Sequence, residues 1–460
     1  MPTICWFRRD LRLADHPALA AAVAQARDAD DEVVPLFVLD PALWSDATGA
    51  PRRAYLAASL RALDEATGGR LVVRHGRPVD VVPALVRETG ADAVHVTAAT
   101  EPYGRRRDDA VEAALGAVPL VRTGSPYAVG PGRVRTGDDR AYQVFTPFRR
   151  AWLDHGWHDP APAPRDAPWA DVRGDGVPDA PATDVPLPDA GERAAHARWR
   201  AFVADDLAGY GTDRDRPDLD VTSWMSVHLK YGEIHPRTML ADLAAVARDA
   251  EPALAASLAT YRSELAWREF HADVLWHHPG AATRSLRPVV PEDAWVTGRA
   301  EDEAFDVWAH GRTGYPLVDA GMRQLRATGW MHNRVRMVVA SFLVKDLHVR
   351  WQRGAEHFMR WLLDGDVSQN QLNWQWVAGT GRDAAPFFRI FNPVTQGRKF
   401  DPDGQYVRRW VPELRDVPAP AVHEPWTLGL QAPEDYPPPV VDHKHEREVA
   451  LADHKRRPTG

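Results

Sequence analysis

Short apolar runs rich in β-branched residues alternate with alanine-rich amphipathic stretches along the first quarter of the chain. The runs predict β-strands at residues 3–7, 33–39, 71–74, 93–97 and 120–122. The stretches predict helices near residues 17–26, 52–66, 79–89 and 105–115. Strands and helices in alternation are typical of a Rossmann-like parallel sheet with right-handed crossovers. Asp15 is expected to cap the first helix, with Pro17 in its first turn.

The pattern then changes twice along the chain. Residues 159–190 are rich in Pro, Ala and Asp and have no period, which indicates a linker. From about residue 192 onward the pattern is helical almost throughout. We therefore expect an α/β sheet domain at residues 1–130, an interdomain connector at 131–191 and an all-helical domain at 192–460.

Composition narrows the class of protein. A chain of 460 residues favours two domains. Its single cysteine, Cys5, excludes a disulfide framework, and its apolar neighbours predict that it lies buried in a strand. No apolar run is long enough for a leader or a membrane span, so the expected location is the cytoplasm.

Charge leaves two interpretations open. The net charge of −8 argues against a nucleic-acid partner. However, residues 321–362 carry eight Lys/Arg and two Asp/Glu, a local net charge of +6. This segment is either a basic face that can neutralise phosphates or a solvated helical surface.

Two common kinds of site are excluded by their missing residues. The first predicted strand is followed by a charged turn at residues 8–12, without the glycines that a nicotinamide dinucleotide site needs. That turn is a site for another ligand or only a surface corner. Asp364 and Asp366 flank a glycine, but neither a histidine nor a third carboxylate stands at metal-ligand spacing, so no metal site is expected.

The segment 328–337 carries an unusual set of side chains for a helix. Trp330, Asn333, Arg334 and Met337 have the spacing i, i+3, i+4 and i+7, which predicts one helix face. A core stripe at that spacing would be leucine or valine. A ring, an amide, a cation and a thioether instead suit a planar polar ligand such as a nucleobase.

Two further clusters of polar residues can each be interpreted either as a ligand-binding site or as an ordinary structural feature. Hydroxyls within residues 222–226 stand near the start of a probable helix, where they form a diphosphate site or merely a cap. Glu264, Trp267, Arg268 and His271 share a predicted helix face. Glu264 is there either a ligand-binding carboxyl or an exposed i, i+4 partner of Arg268.

The sequence Thr-Gly-Trp-Met-His-Asn-Arg at residues 328–334 resembles the core of the photolyase/cryptochrome flavoproteins. The similarity runs from Trp-Phe-Arg-Arg-Asp-Leu-Arg at residues 6–12 to Trp-Val-Pro-Glu-Leu at 410–414, and includes residues 313–316 and 383–393. This resemblance implies an N-terminal sheet domain that binds an antenna chromophore, a linker, and a C-terminal all-helical domain that binds FAD and DNA.

The resemblance also implies the residues that bind FAD. Residues 222–226 would grip its phosphates, Asp364 would form a salt bridge with Arg336, and Asn370 would face the flavin N5. Cryptochromes of plants and animals place aspartate or cysteine at that last position, so asparagine indicates a repair enzyme. The implied cofactor-binding residues are Tyr210, Thr222, Ser223, Trp224, Met225, Ser226, Tyr261, Glu264, Arg268, Asn333, Arg336, Asp364, Asp366 and Asn370.

Lesion, DNA and electron-transfer residues follow from the same resemblance. Glu264 would hydrogen-bond a thymine carbonyl, which requires a proton that burial can help it hold. The implied catalytic residues are Glu264, Trp267, Asn333, Met337, Asn370 and Trp376. The implied DNA-binding residues are Arg214, Trp267, Arg334, Trp376 and Arg389. The implied electron-transfer residues are Trp374, Trp351 and Trp295.

Two departures from the family pattern concern the electron-transfer residues. Gln371-Leu372-Asn373 precedes Trp374 where the family usually has Gly-Gly or a similar pair, which puts the local backbone in question. The outermost tryptophan normally lies ten residues before the position of Trp308, where this chain has Gly298, and Trp295 lies three residues further upstream.

The function that we expect is light-driven repair of cyclobutane pyrimidine dimers in duplex DNA, with the dimer flipped out to excited, reduced FAD. Six-four photolyases carry histidines where this chain has Asn333 and Met337, which cannot donate protons as acids. The alternatives are a cryptochrome photoreceptor and a DASH-type enzyme acting on single strands. The antenna, lined by residues 7–12 and 101–105, would be 5,10-methenyltetrahydrofolate or 8-hydroxy-5-deazaflavin. A monomer without a membrane partner is expected.

Overall fold

The computed structural model describes residues 1–382 and 388–456. The chain forms two compact units, which we call unit one and unit two. Unit one comprises Met1–Thr183, Leu187–Gly211 and Ser223–Pro279. Unit two comprises Asp184–Pro186, Thr212–Thr222 and Gly280–Gly460. The expected domain ranges 1–130, 131–191 and 192–460 divide the chain differently, and they stay a prediction.

A five-stranded sheet lies in unit one, and its parallel pairing confirms the predicted α/β architecture. The strands are β1 (Thr3–Phe7), β2 (Val33–Leu39), β3 (Val72–His75), β4 (Ala93–Val96) and β5 (Leu120–Arg122). Their order is β3-β2-β1-β4-β5, and all the pairs are parallel. Every residue of β1 and β2 is buried, as is typical of central strands covered on both faces.

Helices α1 to α10 accompany the sheet and continue beyond it. They are α1 (Pro17–Asp28), α2 (Ala50–Ala66), α3 (Pro78–Thr89), α4 (Pro102–Leu115), α5 (Phe145–His155), α6 (Glu192–Asp205), α7 (Tyr210–Asp213), α8 (Met225–Tyr231), α9 (Pro236–Val246) and α10 (Pro252–His277). Five of these ten helices begin with proline, whose fixed φ suits the first turn and whose missing N–H needs no partner there. The four predicted helices between the strands are confirmed, with starts earlier by up to three residues.

The predicted cap of α1 was wrong by one residue. His16 precedes the helix, and its Nδ1 accepts a hydrogen bond from the Leu19 N–H at 3.1 Å. Asp15 has a left-handed φ of 49° and lies buried. Its carboxylate accepts from the Ala161 N–H at 3.1 Å and pairs with Arg237. The carboxylate therefore fixes the linker rather than the helix.

The predicted linker has neither a helix nor a strand of the sheet between residues 159 and 190. It nevertheless follows the sheet, because Trp169 forms a parallel bridge with Val33 of β2. The Asp175 N–H donates to the Val73 carbonyl at 2.7 Å, and the Asp175 carboxylate accepts from the His75 N–H at 2.8 Å. These bonds satisfy backbone groups of edge strand β3.

Unit two is helical, as predicted. Its helices are α11 (Arg299–Ala309), α12 (Pro316–Thr328), α13 (Asn333–Lys345), α14 (Trp351–Trp361), α15 (Val367–Ala378), α16 (Pro393–Phe400), α17 (Gln405–Trp410) and α18 (His443–Lys455). Short 3₁₀ turns lie at Glu292–Ala294, Pro412–Leu414, Ala421–His423 and Pro425–Gln431 in unit two, at Ala247–Asp249 in unit one, and at Pro279–Ala282. Every residue of α13 from Val338 to Lys345 is buried, so this helix is the centre of the unit-two core.

The predicted four-residue helix face at 328–337 was wrong in one position. Helix α12 ends at Thr328, because Gly329 takes a left-handed φ of 64°. Helix α13 begins only at Asn333, where His332 caps it by accepting from the Arg334 N–H at 3.1 Å. Trp330 therefore lies in the bend between two helices, while Arg334 and Met337 are on α13.

Cys5 lies in the central strand β1 and is fully buried, as predicted. Burial raises the pKa of its thiol well above the ordinary value. Within the described ranges, no helix combines the length and the apolar character needed to cross a bilayer.

Substitution of Gly232 tests the closest backbone approach in unit one. Gly232 follows α8 with φ 69°, and an added Cβ would lie 2.0 Å from the Arg9 carbonyl oxygen. Gly90 follows α3 with nearly the same φ of 70°, but nothing lies within 4 Å of its added Cβ. We expect Gly90→Ala to lower the free energy of unfolding by about 1–2 kcal/mol through φ alone. Gly232→Ala should cost distinctly more in urea titrations, and equal losses would contradict the packing argument.

Candidate functional site

Ser223 and Tyr261 form a hydroxyl pair in unit one. The Ser223 Oγ lies 2.8 Å from the Tyr261 hydroxyl. The Arg198 Nε donates to the Ser223 carbonyl at 3.0 Å and so fixes the segment that precedes α8. Tyr261 also packs on the Tyr210 ring, with 5.1 Å between the centroids. Three of the residues implied to bind FAD are thus brought together, and Arg198 is a neighbour that the sequence did not indicate.

The rest of the 222–226 segment begins α8. Trp224 precedes the helix with a left-handed φ of 57°, which is rare for a large side chain. Met225 is buried, whereas Ser226 is exposed and Thr222 is half-buried. The Ser223 Oγ also accepts a long hydrogen bond of 3.4 Å from the Met225 nitrogen, at the first residue of α8, although the N-cap residue Trp224 makes no side-chain cap.

Helix α10 carries the second group of residues in unit one, on the helix that the sequence predicts. One face of the Trp267 indole stacks on Phe145, with 3.6 Å between centroids and 9° between planes. The Arg268 guanidinium donates to the carbonyls of Pro126 and Leu229 at 3.1 and 3.3 Å. Glu264 is half-buried one turn earlier. Trp267 and Arg268 are therefore held by contacts with α5, α8 and the segment around Pro126 before a ligand binds.

In unit two, the predicted salt bridge between Arg336 and Asp364 is present. Two guanidinium nitrogens of Arg336 lie 2.8 and 3.2 Å from the two carboxylate oxygens of Asp364. The Arg336 Nε donates to the Met331 carbonyl at 2.7 Å. This forked geometry is the strong form of an ion pair, and it joins α13 to the turn before α15.

Helix α15 positions the next two residues. Asp366 caps the helix by accepting from the Gln369 N–H at 3.1 Å. Asn370 is buried, and its amide nitrogen donates to the Ala355 carbonyl at 3.0 Å and to Gln371 Oε1 at 2.7 Å. Both N–H groups of the Asn370 amide are therefore used inside unit two. Its oxygen remains the atom with which it can accept a hydrogen bond.

The implied electron-transfer residue Trp374 is tightly enclosed on α15. The helix is continuous from Val367 to Ala378, so the unusual residues 371–373 do not change the backbone. An added Cβ at Gly354 would lie 2.2 Å from the Trp374 ring, which explains a glycine inside α14. The Trp374 ring also makes an edge-to-face contact with the Trp308 ring, with 6.1 Å between the centroids and 71° between the planes.

The other two implied electron-transfer residues have different surroundings. Trp351 is buried, and its indole N–H donates to Ser285 Oγ at 2.9 Å. Trp295 is half-buried, with the Arg350 guanidinium 5.8 Å from its ring centroid. Gly298, at the usual family position, precedes α11 with φ 66°. The contact of Trp374 with Trp308 was not foreseen, since both are core residues distant in sequence.

Arg334 is the first of the implied DNA-binding arginines. It lies on the first turn of α13, and its Nη2 is 2.8 Å from the Asp215 carboxylate. Its guanidinium lies 4.4 Å from the Phe400 ring centroid. Burial lowers the pKa of the adjacent His332 to about 4. The implied residue Arg214 adjoins Asp215 in the chain, so the structure brings it close to Arg334.

Arg389 and Trp376 form a second contact between implied residues. The Arg389 guanidinium lies 4.9 Å from the Trp376 ring centroid. The Arg389 carbonyl accepts a hydrogen bond from Lys345, which is almost fully buried. Burial lowers the pKa of Lys345 to about 7. Residues 383–387 of the family-like segment lie outside the described residues.

The basic segment 321–362 is less positive in the structure than in the sequence. Among the described residues, five of its eight cations have carboxylate partners from elsewhere in unit two. The pairs are Arg323–Glu413, Arg334–Asp215, Arg336–Asp364, Arg350–Glu292 and Arg353–Asp302. The local net charge of +6 thus overestimates the positive field that this surface offers to a phosphate.

Two segments of the chain match known protein families. Residues 3–165 match the family described as DNA photolyase. Residues 261–456 match the FAD binding domain of DNA photolyase. The chain belongs to the DNA photolyase family.

Curated photolyases match over nearly the whole chain. A deoxyribodipyrimidine photo-lyase of Streptomyces griseus is 44% identical over 459 residues, with 95% of this chain and 95% of the relative covered. The protein of that name from Salmonella typhimurium is 40% identical over 477 residues, with 98% of each covered. The chain is accordingly a lyase of the photolyase family that acts in DNA repair, and its FAD-binding domain makes it a flavoprotein.

Solved structures of photolyases and a cryptochrome share the fold. A class III photolyase from Agrobacterium tumefaciens has a TM-score of 0.85 and 37% identity, with 99% of this chain and 97% of that chain covered. A Synechocystis cryptochrome has a TM-score of 0.89 and 27% identity, covering 98% and 99%. A Sulfolobus tokodaii photolyase with two FAD molecules has a TM-score of 0.81 and 27% identity, covering 99% and 100%.

Glu269 is a structural residue of this photolyase that sequence reasoning missed. It lies buried on α10, and its carboxylate accepts from the N–H groups of Ala128 at 2.6 Å and Val129 at 2.9 Å. The Trp152 indole N–H donates to it at 2.6 Å. Burial raises the pKa of Glu269 to about 7, although these donors lower it. The residue fixes the loop whose Pro126 carbonyl accepts from Arg268.

Glu269 makes stability depend on pH in a definite direction. Its folded-state pKa of about 7 is above the ordinary value of 4.5, so the folded state binds the extra proton between these values. The stabilisation is complete below the ordinary pKa and is lost as pH rises through about 7. We expect urea unfolding from about pH 5 to pH 8 to show this loss in the native protein and a smaller loss in Glu269→Gln. Equal pH dependence of the two proteins would contradict it.

Proposed function

We propose that this photolyase uses FAD and light to repair cyclobutane pyrimidine dimers in UV-damaged duplex DNA, with the dimer flipped out of the helix. The observation that carries the substrate choice is the start of α13, where Asn333, Arg334 and Met337 stand without an imidazole at either ligand-facing family position. Six-four photolyases resemble this helix but have histidines there. The relatives named above are deoxyribodipyrimidine photo-lyases.

The residues present fit FAD chemically. Ser223 offers a hydroxyl that can bind a diphosphate, and Arg198 fixes its backbone by donating to its carbonyl. The Tyr261 hydroxyl lies beside the Ser223 hydroxyl, and Tyr210 packs on the Tyr261 ring. Thr222, Trp224, Met225, Ser226, Glu264, Arg268, Asn333, Arg336, Asp364 and Asp366 complete the proposed FAD-binding set. When bound, FAD supplies the light absorption and the electron that splits the dimer.

Asn370 is proposed to face the flavin N5, where an amide tolerates both redox states of the cofactor. Both of its N–H groups are used by Ala355 and Gln371, so its Oδ1 is the polar atom offered to a ligand. A reduced flavin carries an N–H at N5, and an amide oxygen is a suitable acceptor for it. An aspartate at this position could exchange a proton with N5, which asparagine cannot.

The dimer is proposed to contact two aromatic residues and one carboxyl. Trp267 has one face covered by Phe145, and Trp376 has Arg389 stacked near its ring. Each ring is thereby held in place while it can still pack on an apolar base surface. Glu264 is proposed to hydrogen-bond a carbonyl of the damaged base.

Asn333 and Met337 favour the cyclobutane lesion on chemical grounds. Six-four repair needs an acid that moves a proton between the two bases. Splitting a cyclobutane ring needs an electron and its return, without an obligatory proton. Neither an amide nor a thioether titrates in the working range. The residues present can therefore position a dimer but cannot act as the acid.

Arg214, Arg334 and Arg389 are proposed to bind phosphates around the lesion. A guanidinium offers several N–H donors in a plane and suits a phosphate group. Flipping a base costs a few kcal/mol, and less at a damaged step that is already poorly paired. Phosphate contacts would offset that cost without reading sequence.

Electron supply to the cofactor and its antenna complete the proposal. Trp374, Trp351 and Trp295 are the proposed electron-transfer residues, with Trp374 also touching Trp308. A second chromophore is proposed beside residues 7–12 and 101–105 of unit one, either 5,10-methenyltetrahydrofolate or 8-hydroxy-5-deazaflavin.

We also propose that the protein is a monomer in the cytoplasm. The alternative function is a blue-light receptor like the Synechocystis cryptochrome, against which Asn370 argues.

A repair assay with two lesions tests the function. FAD-loaded, photoreduced protein is mixed with duplex oligonucleotides that carry one cyclobutane thymine dimer or one six-four product. We expect chromatography to show loss of the cyclobutane dimer in blue light only, with the six-four product unchanged. Repair of the six-four product would refute the substrate choice. Tight flavin binding with neither lesion repaired would favour the cryptochrome alternative.

Substitution of Arg334 tests the DNA-binding surface. We expect Arg334→Ala to lower the affinity for damaged and undamaged duplex alike, by about tenfold, because a phosphate contact is lost in both. The slope of log K against log salt should become shallower by about 0.9. Arg353→Ala is the control for loss of one positive charge, since Arg353 also lies on a phenylalanine ring and pairs with Asp302 and Glu301. Unchanged slopes for Arg334→Ala in fluorescence-anisotropy titrations would remove Arg334 from the interface.

A further inference from the structure

Asp215 forms an ion pair with Arg334, one of the three arginines that are proposed to bind DNA. We propose that the Asp215 carboxylate competes with a DNA phosphate for Arg334, and so sets the affinity of this photolyase for the backbone of any duplex. The inference rests on the proposed role of Arg334 in DNA binding. It adds a residue that none of the family-based assignments above includes.

The contact between Asp215 and Arg334 has the geometry of an exchangeable pair. One carboxylate oxygen lies 2.8 Å from Nη2 of Arg334, whereas Asp364 engages Arg336 with both oxygens. The Arg334 Nε is buried and has no hydrogen-bond partner among the described residues. A single contact uses only part of the guanidinium fork, so it is weaker than a bidentate one.

Solvent can reach this pair, which a phosphate must also do. The Asp215 side chain is 36% exposed and the Arg334 side chain is 19% exposed. Arg334 is the less exposed partner, and its guanidinium lies 4.4 Å from the Phe400 ring centroid, which restricts its movement. Asp215 is therefore the partner that yields when a phosphate arrives at Arg334.

The charged groups near the pair other than Asp215 do not neutralise Arg334. Arg336 is neutralised by Asp364, and Arg216 by Asp218. Burial lowers the pKa of His332 to about 4, so this side chain is uncharged at neutral pH. Within the described residues, Asp215 is the only carboxylate paired with Arg334.

Competition by Asp215 lowers DNA affinity in two ways. An incoming phosphate must displace a carboxylate that Arg334 already binds, and the displaced carboxylate then repels the phosphate. Since the backbone of damaged and undamaged DNA is the same, both affinities fall by the same factor. Weak backbone binding shortens the time that the enzyme spends on undamaged DNA, where it has no lesion contact to hold it.

Charge removal at Asp215 is the direct test. FAD-loaded Asp215→Asn is titrated by fluorescence anisotropy with a duplex that lacks a lesion and with one that carries a cyclobutane thymine dimer. We expect both affinities to rise by about three- to fivefold at low salt. The slope of log K against log salt should become steeper by up to about 0.9. A fall in affinity would show that Asp215 only positions Arg334, and would overturn the proposal, as would an unchanged affinity.

A matched charge control separates competition from net charge. Asp302 pairs with Arg353, which also contacts Glu301 at 3.3 Å and lies 4.3 Å from the Phe305 ring centroid, so Asp302→Asn makes the same charge change at an ion pair that does not include Arg334. We expect Asp302→Asn to leave both affinities nearly unchanged. A rise equal to that of Asp215→Asn would assign the effect to net charge and overturn the proposal.

A double substitution ties the effect to Arg334. In an Arg334→Ala background, Asp215→Asn should no longer raise the affinity, because the contested cation is gone. A rise that persists there would overturn the proposal. If Arg334→Ala alone leaves binding intact, then the proposed role of Arg334 fails. If it weakens binding while Asp215→Asn brings no gain, then only the present inference fails.

Discussion

Buried carboxylates that accept backbone N–H groups are the interaction on which the loops of this protein depend. Glu233 accepts from the Gly191 N–H at 2.7 Å, and Glu269 holds the loop after β5. In unit two, Asp319 accepts from the N–H groups at 313 and 314, and Asp401 from those at 406 and 407. Long irregular segments leave backbone donors that need partners away from water. Glu269, Asp319 and Asp401 each satisfy two backbone donors, and their burial is tolerated because they are hydrogen-bonded.

Local sequence was sufficient to predict the five strands and the four helices between them, and the helical character of the chain after residue 192. Runs of β-branched residues predicted β1 and β2 to the residue, since a strand buried on both faces must be apolar throughout. The errors lie where tertiary contacts override local preference. Asp15 is a good capping residue by type, but its carboxylate is used by Ala161 and Arg237, so His16 caps α1 instead. The break before α13 was missed because the side-chain spacing was read through Gly329, which ends a helix.

The candidate site was predictable where it depends on short motifs. The family-like segments indicated the Arg336–Asp364 pair, which is present. Contacts between residues distant in sequence left no such signal. Glu269 looks like any helical glutamate until Ala128 and Val129 are found to donate to it. In the same way, the count of charges in segment 321–362 suggested a strongly positive surface. The carboxylates that neutralise five of its cations come from other parts of unit two, so the segment alone did not reveal them. The net charge of a sequence segment is therefore a poor guide to the electrostatic potential at the surface that the segment forms.

Burial of Cys5 has a practical consequence for spectroscopy. The thiol lies in the central strand of the sheet, fully buried, and it is the only cysteine in the sequence. Its raised pKa keeps it protonated and unreactive towards maleimides and similar reagents. The native chain is thus already suited to site-specific labelling, because any cysteine introduced at the surface would be the single reactive position. Fluorophores or spin labels can be attached wherever a distance is wanted, without first removing native thiols.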